Sequence, residues 1–134
     1  MTLPDTPVLA PSYSPITELA RHRGVTFHIA SRRQHASLLL HLPDGSLLDI
    51  TDDGVGGATA RKPSGATGWK AARILPTGHY TPLYDSTLLG RYHHLGTDPD
   101  PLLAVLARYL PPPPAMPDPR TRRSHLLRRL LRLT

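Results

Sequence analysis

Cysteine is missing from all 134 residues. Without a thiol there can be no disulfide, no thiolate zinc centre, no iron–sulfur cluster and no Cys nucleophile within this chain. Asparagine is missing too, and aromatic residues are scarce, with Phe27 and Trp69 the sole members of their types. Long apolar runs are also lacking. Leu38–Leu40 and Leu102–Leu106 are short, far below the roughly 20 residues that a membrane-crossing helix needs. Residues 1–15 hold four prolines and no Lys or Arg. That is not the pattern of a signal peptide, and a cytoplasmic location with no transmembrane segment is the expectation.

What the chain has in quantity is proline, glycine and arginine. There are 16 Pro and 10 Gly, and the formal net charge is +6. Arg outnumbers Lys by 14 to 2, which fits a bacterial gene rich in GC codons and makes part of the arginine content a matter of coding. The charge is unevenly placed. Residues 115–134 carry six Arg and one Asp, a net of +5, whereas residues 1–114 carry ten basic and nine acidic groups, a net of +1. The basicity therefore belongs to the tail. The length suits one domain and excludes two full ones.

Four stretches follow from the pattern. Residues 1–13 read as an extended, poorly ordered Pro-rich arm, because Pro4, Pro7 and Pro11 remove backbone donors and fix φ. Residues 14–110 read as one α+β domain with a small, mainly antiparallel sheet, a helix before it and a helix after it. In the first helix Ser14 is the expected N-cap and Pro15 the first helical residue, with Ile16, Leu19 and Ala20 on one face and Gly24 at its end. Val25, Phe27 and Ile29 alternate with Thr26 and His28 as in a strand. The runs 37–42 and 46–50 flank Pro43-Asp44-Gly45, a hairpin signal. Gly54-Val55-Gly56-Gly57 lacks phosphate-loop spacing and reads as a flexible loop. Trp69–Leu75 and His79–Tyr84 are the next strands, with Pro82 marking an edge or an interruption. Asp98-Pro99-Asp100-Pro101 opens the second helix, through Leu110. Residues 111–119 form a polyproline linker, and 120–134 a basic amphipathic helix with leucines at 126, 127, 130 and 131.

The order helix, glycine, strand, hairpin, loop, strand, turn and then Gly78-His79-Tyr80-Thr81 resembles the C-terminal half of the OTU-like (ovarian-tumour) cysteine peptidases over residues 16–85. Leu19–Phe27 matches the family's helix–glycine–strand passage, and Arg73-Ile74-Leu75 its strand before the turn. The resemblance implies that His79 is the general base and Tyr80 its aromatic neighbour. The family's nucleophilic Cys has no counterpart here, and Thr81 stands where the family often carries the Asn or Asp that orients the imidazole. The implied triad is incomplete. The chain is then expected to be a degenerate or truncated relative, catalytically incompetent alone and acting through protein–protein contact, or half of a site whose Cys a second chain supplies.

Other residues invite chemistry by type alone. Ser64 or Ser86 would have to find a base and an oxyanion hole to replace the thiol. His28 and His41 fall on separate strands and, with Asp49, Asp52 and Asp53, show no metal-ligand spacing, so neither metal nor cofactor is expected and the carboxylates read as solvated hairpin ends. His93 and His94, adjacent in a strand, would face opposite sides. Trp69 reads as a packing residue. Contact with a protein partner is expected through Tyr80 and the arginines Arg122, Arg123, Arg128, Arg129 and Arg132. The alternative is a small basic adaptor whose C-terminal helix docks on an anionic surface, either nucleic acid or membrane, or in a partner groove.

Overall fold

The structure, a computed structural model, describes residues 8–32, 35–59 and 65–114. The start of the Pro-rich arm, Ser64, the end of the linker and the basic helix with Arg122, Arg123, Arg128, Arg129 and Arg132 lie outside the described residues. Helix α1 (Ser14–His22) leads into strands β1 (Phe27–Arg32), β2 (His35–His41), β3 (Leu47–Asp52), β4 (Trp69–Ile74) and β5 (Tyr80–Asp85), and helix α2 (Pro99–Ala107) follows. The strands pair in sequence order as a five-stranded antiparallel meander. This is the small α+β fold expected from the alternation of apolar residues, with one helix before the sheet and one after it.

Side chains alternate across each strand, so every strand offers one face to the helices. Leu38, Leu40, Leu48, Ile50, Trp69, Ala71 and Tyr84 form that face and are buried with Ile16, Ala20, Leu102 and Leu106 of the helices. Spacing of four in each helix brings its apolar residues onto one side. Each fully buried Leu or Ile contributes roughly 1.5–3 kcal/mol relative to exposure. Trp69 packs in the core as its type suggested, and its indole N–H donates to the Thr97 carbonyl at 3.0 Å.

The ends of α1 differ in part from the sequence expectation. Gly24 adopts φ 70° and lets the Val25 amide reach back to the Ala20 carbonyl at 2.9 Å, so the glycine stop is as expected. Ser14, however, is the first helical residue rather than the cap. Tyr13 occupies the cap position, preceded by a 3-10 turn over Pro11–Tyr13. Tyr13 is fully buried and the Ala10 amide donates to the Ala58 carbonyl at 2.7 Å. The chain thus joins the core ahead of residue 14, because a buried aromatic outweighs the extended tendency of the flanking prolines. At α2, Asp98 caps the helix by accepting from the Asp100 amide at 3.0 Å, and the helix ends at Ala107, with Leu110 buried just beyond it.

Two further features set local geometry. β5 lies at the sheet edge, and its register against β4 slips between Ala71, opposite Tyr84, and Ala72, opposite Pro82. A proline that cannot donate to the ladder accounts for both. The glycine loop after β3 is pinned. Gly57 bridges to Ala36, and a Cβ there would lie 2.3 Å from the Ala36 carbonyl oxygen. Among the described residues no helix is long and apolar enough to cross a membrane.

Candidate functional site

His79 sits at the mouth of the β4–β5 hairpin. The Leu75 amide donates to the His79 carbonyl at 2.9 Å, and Gly78, at φ 89°, supplies the left-handed step that closes the turn. The His79 side chain is exposed, as is Tyr80, 55% accessible beside it. Among the described residues the imidazole of His79 meets no hydroxyl, carboxylate or second imidazole at hydrogen-bond distance. A depression of about 270 Å³ lies further along β5, lined by Pro82–Asp85, Arg91 and Tyr92, and does not include His79. In it Tyr84 stacks on Tyr92 with centroids 5.5 Å apart, and Arg91 lies over Tyr92.

The hydroxyls fold into structural bonds. Ser86 is fully buried, accepts from the Trp69 amide at 2.8 Å and donates to the Gly96 carbonyl at 2.8 Å. It is unavailable as a nucleophile, with both of its roles taken by backbone. Among the described residues one imidazole–hydroxyl contact is present, His35 Nε2 to Thr51 Oγ1 at 2.7 Å. The Thr51 hydroxyl donates to the Ala36 carbonyl at 3.0 Å. His35 must therefore give its N–H to Thr51, the reverse of what a general base does.

Of the carboxylates expected at solvated hairpin ends, Asp53 is exposed and Asp49 half-buried, whereas Asp52 is not solvated. Asp52 is buried on the core side, where the Tyr13 hydroxyl donates to it at 2.6 Å and the Gly54 amide at 2.8 Å. Burial above all, and then the hydrogen bond to Asp52 and its charge, push the Tyr13 phenol well above its ordinary range. Asp53 accepts from the Thr67 hydroxyl and amide and the Gly68 amide. Burial is the largest single influence on Asp53 and opposes ionisation, but these donors together outweigh it and hold the carboxyl below its usual value. Asp44 accepts from the Ser46 hydroxyl and amide and pairs with Arg73, and it is lowered to about 2. His93 and His94 fall in a 3-10 turn, His93–Leu95, rather than a strand, with ring planes 90° apart and centroids 6.0 Å apart. Among the described residues no group of three or more His, Asp or Glu could hold a metal ion.

Two features escaped the sequence reading. The first is the meeting of His28 and His41, with His28 Nδ1 and His41 Nε2 2.6 Å apart on neighbouring strands. The second is the apolar content of the sheet face turned away from the helices. Register places Leu39 beside Asp49, Asp49 beside Ala72 and Ala72 beside Pro82 in one row. Leu47, Ile74 and Tyr80 make the next row, beside His41. Leu39 and Ala72 are buried, at 6% and 1% exposure, while Leu47 and Ile74 are half-buried. An antiparallel sheet facing water ordinarily alternates to polar side chains on that side. Here an apolar band runs from β2 to β5, with His28, His41 and Lys70 around it. The signal was available in Leu38-Leu39-Leu40 and Leu47-Leu48, where the run of leucines breaks the alternation and places apolar residues on both faces.

Comparison with family models, with curated proteins and with solved structures finds no match for this chain.

Proposed function

We propose that the chain is a catalytically incompetent OTU-like domain that acts through protein–protein contact, made across the face of its sheet turned away from α1 and α2. The observation that carries this reading is the set Leu39, Leu47, Ala72, Ile74 and Tyr80, with Asp49 among them, on the sheet face opposite the one that packs on the helices. A contiguous apolar patch rimmed by polar groups is the usual mark of a protein interface. The chemistry argues the same way. The chain has no thiol, His79 has no hydroxyl within reach among the described residues, and Ser86 is sealed. The OTU-like resemblance over residues 16–85 supports kinship with a peptidase half that contributes a base and no nucleophile.

The test compares three full-length variants for retention of whatever partner the wild type holds in its native cells. Leu47→Arg with Ile74→Arg should abolish retention while leaving the circular-dichroism spectrum and melting cooperative. His79→Ala should retain the partner unchanged. Deleting residues 115–134 distinguishes the basic adaptor, which would lose a salt-sensitive partner on truncation. If the sheet-face pair retains the partner as well as the wild type, the reading fails. A hydrolase activity that His79→Ala abolishes would overturn its catalytic half.

A further inference from the structure

The structure assigns a second site to the same sheet, independent of the interface reading: we infer that His28 and His41 form a bidentate site for a late divalent transition-metal ion of tetragonal preference, Cu(II) or Ni(II). The placement follows from register. His28 lies opposite Leu39 in the β1–β2 ladder, and His41 is two residues further along β2, so both side chains project from one face on adjacent strands. The two rings are exposed, with centroids 4.7 Å apart and planes tilted by 37°. One nitrogen of each ring, Nδ1 of His28 and Nε2 of His41, converges on the other at 2.6 Å.

Two neutral imidazoles meeting in this way share one proton between two lone pairs. A metal ion replaces that proton, which moves to the outer nitrogen of the same ring, so both lone pairs point inward and no net charge is lost. Metal–nitrogen bonds of about 2.0–2.1 Å drawn from nitrogens 2.6 Å apart subtend about 78° at the metal. Widening the pair to about 2.9 Å gives the right angle of two neighbouring positions in a tetragonal complex. A tetrahedral ion asks for about 3.3 Å, more than twice the movement. The geometry therefore favours Cu(II) or Ni(II) over Zn(II), and the affinity order for nitrogen ligands also favours Cu(II). Two imidazoles fill two positions, and the exposed setting leaves the others to water.

The test is titration of the full chain with Cu(II) in a buffer free of amine ligands. Ring proton signals of His28 and His41 should broaden first at substoichiometric metal, and frozen-solution electron paramagnetic resonance should carry the hyperfine pattern of two imidazole nitrogens. His28→Gln and His41→Gln, both at exposed positions, should each weaken the first equivalent by at least ten-fold and lose the two-nitrogen pattern, with unchanged circular dichroism. His93→Ala with His94→Ala should leave both readouts as in the wild type. Should other histidines broaden first, or either Gln variant bind within two-fold of the wild type, the assignment is overturned. Because the broadening is read on the unmodified chain, the outcome does not depend on any variant folding.

Discussion

Replacing Tyr13 with Phe tests how the N-terminal segment is tied to the sheet. The ring is fully buried, and its edge meets Trp69 with centroids 4.8 Å apart. Phe keeps that packing and opens no cavity, so the hydrophobic contribution is unchanged to first order. What goes is the 2.6 Å bond to Asp52 Oδ2, leaving a buried carboxylate with the Gly54 amide, at 2.8 Å, as its remaining donor among the described residues. A hydrogen bond to a charged group contributes about 1.5–3 kcal/mol. With ~2 kcal/mol lost and about 4–8 °C per kcal/mol in a domain of this size, the melting point should fall by roughly 8–16 °C. Urea unfolding followed by Trp69 fluorescence reads the loss directly, because Trp69 is the sole tryptophan. A double-mutant cycle with Asp52→Asn isolates the pair. The pH dependence carries the same information with a definite sign. The phenol is raised above its ordinary value of 10.0, by burial first and by Asp52 second, so folding favours the protonated form. Stability should hold up to about pH 10 and fall as the pH rises beyond it, and Tyr13→Phe should lack that alkaline decline. A Tyr13→Phe protein within about 0.5 kcal/mol of wild type, the range of ordinary surface changes, would refute the reasoning.

Three further outcomes are expected. Gly68→Ala should unfold the protein or cost more than about 3 kcal/mol, since its Cβ would lie 1.9 Å from the Ser86 carbonyl oxygen, whereas Gly78→Ala, strained by φ +89° with nothing within 4 Å, should cost about 1 kcal/mol; thermal melts of the two compare them. Ser86→Ala should cost about 1–3 kcal/mol by orphaning the buried Trp69 amide, and a fluorophosphonate probe should label neither it nor the wild type. Asp44 is held at about 2, first by the Ser46 hydroxyl and amide and then by Arg73. Its contribution is therefore present above about pH 3.8 and lost as the pH falls toward 2; Asp44→Asn should flatten that acid limb in a stability-versus-pH series.

Much of the architecture was legible because it is written in local pattern. The alternation around Phe27 and Ile29, the Asp44-Gly45 turn between two leucine runs, Gly24 after a helix and Asp98 before one each set a short-range structure whose physics needs few distant residues. Pro82 likewise announced the edge and the slip in register. What stayed hidden depends on pairs far apart in sequence. Tyr13 finds Asp52 across 39 residues, so the prolines around it dominated its reading. His28 and His41 are 13 residues apart and meet only because the β1–β2 ladder sets Arg32 opposite His35. A ladder shifted by one residue would turn one ring to the core. Of the candidate site residues, His79 and Tyr80 lie where the hairpin was expected, at the start of β5. The apolar row of Leu39, Leu47, Ala72, Ile74 and Tyr80 likewise draws on four strands, β2 to β5, and exists only through their register.

Site-specific photo-crosslinking tests most directly whether the chain works through the sheet face turned away from its helices. With p-benzoyl-phenylalanine placed at Tyr80 or Lys70 on that face, and at Ala104 on the exposed side of α2 as the control, the expected result is a partner adduct from positions 70 and 80 and none from 104. An adduct from 104 alone, or equally from all three, would contradict it.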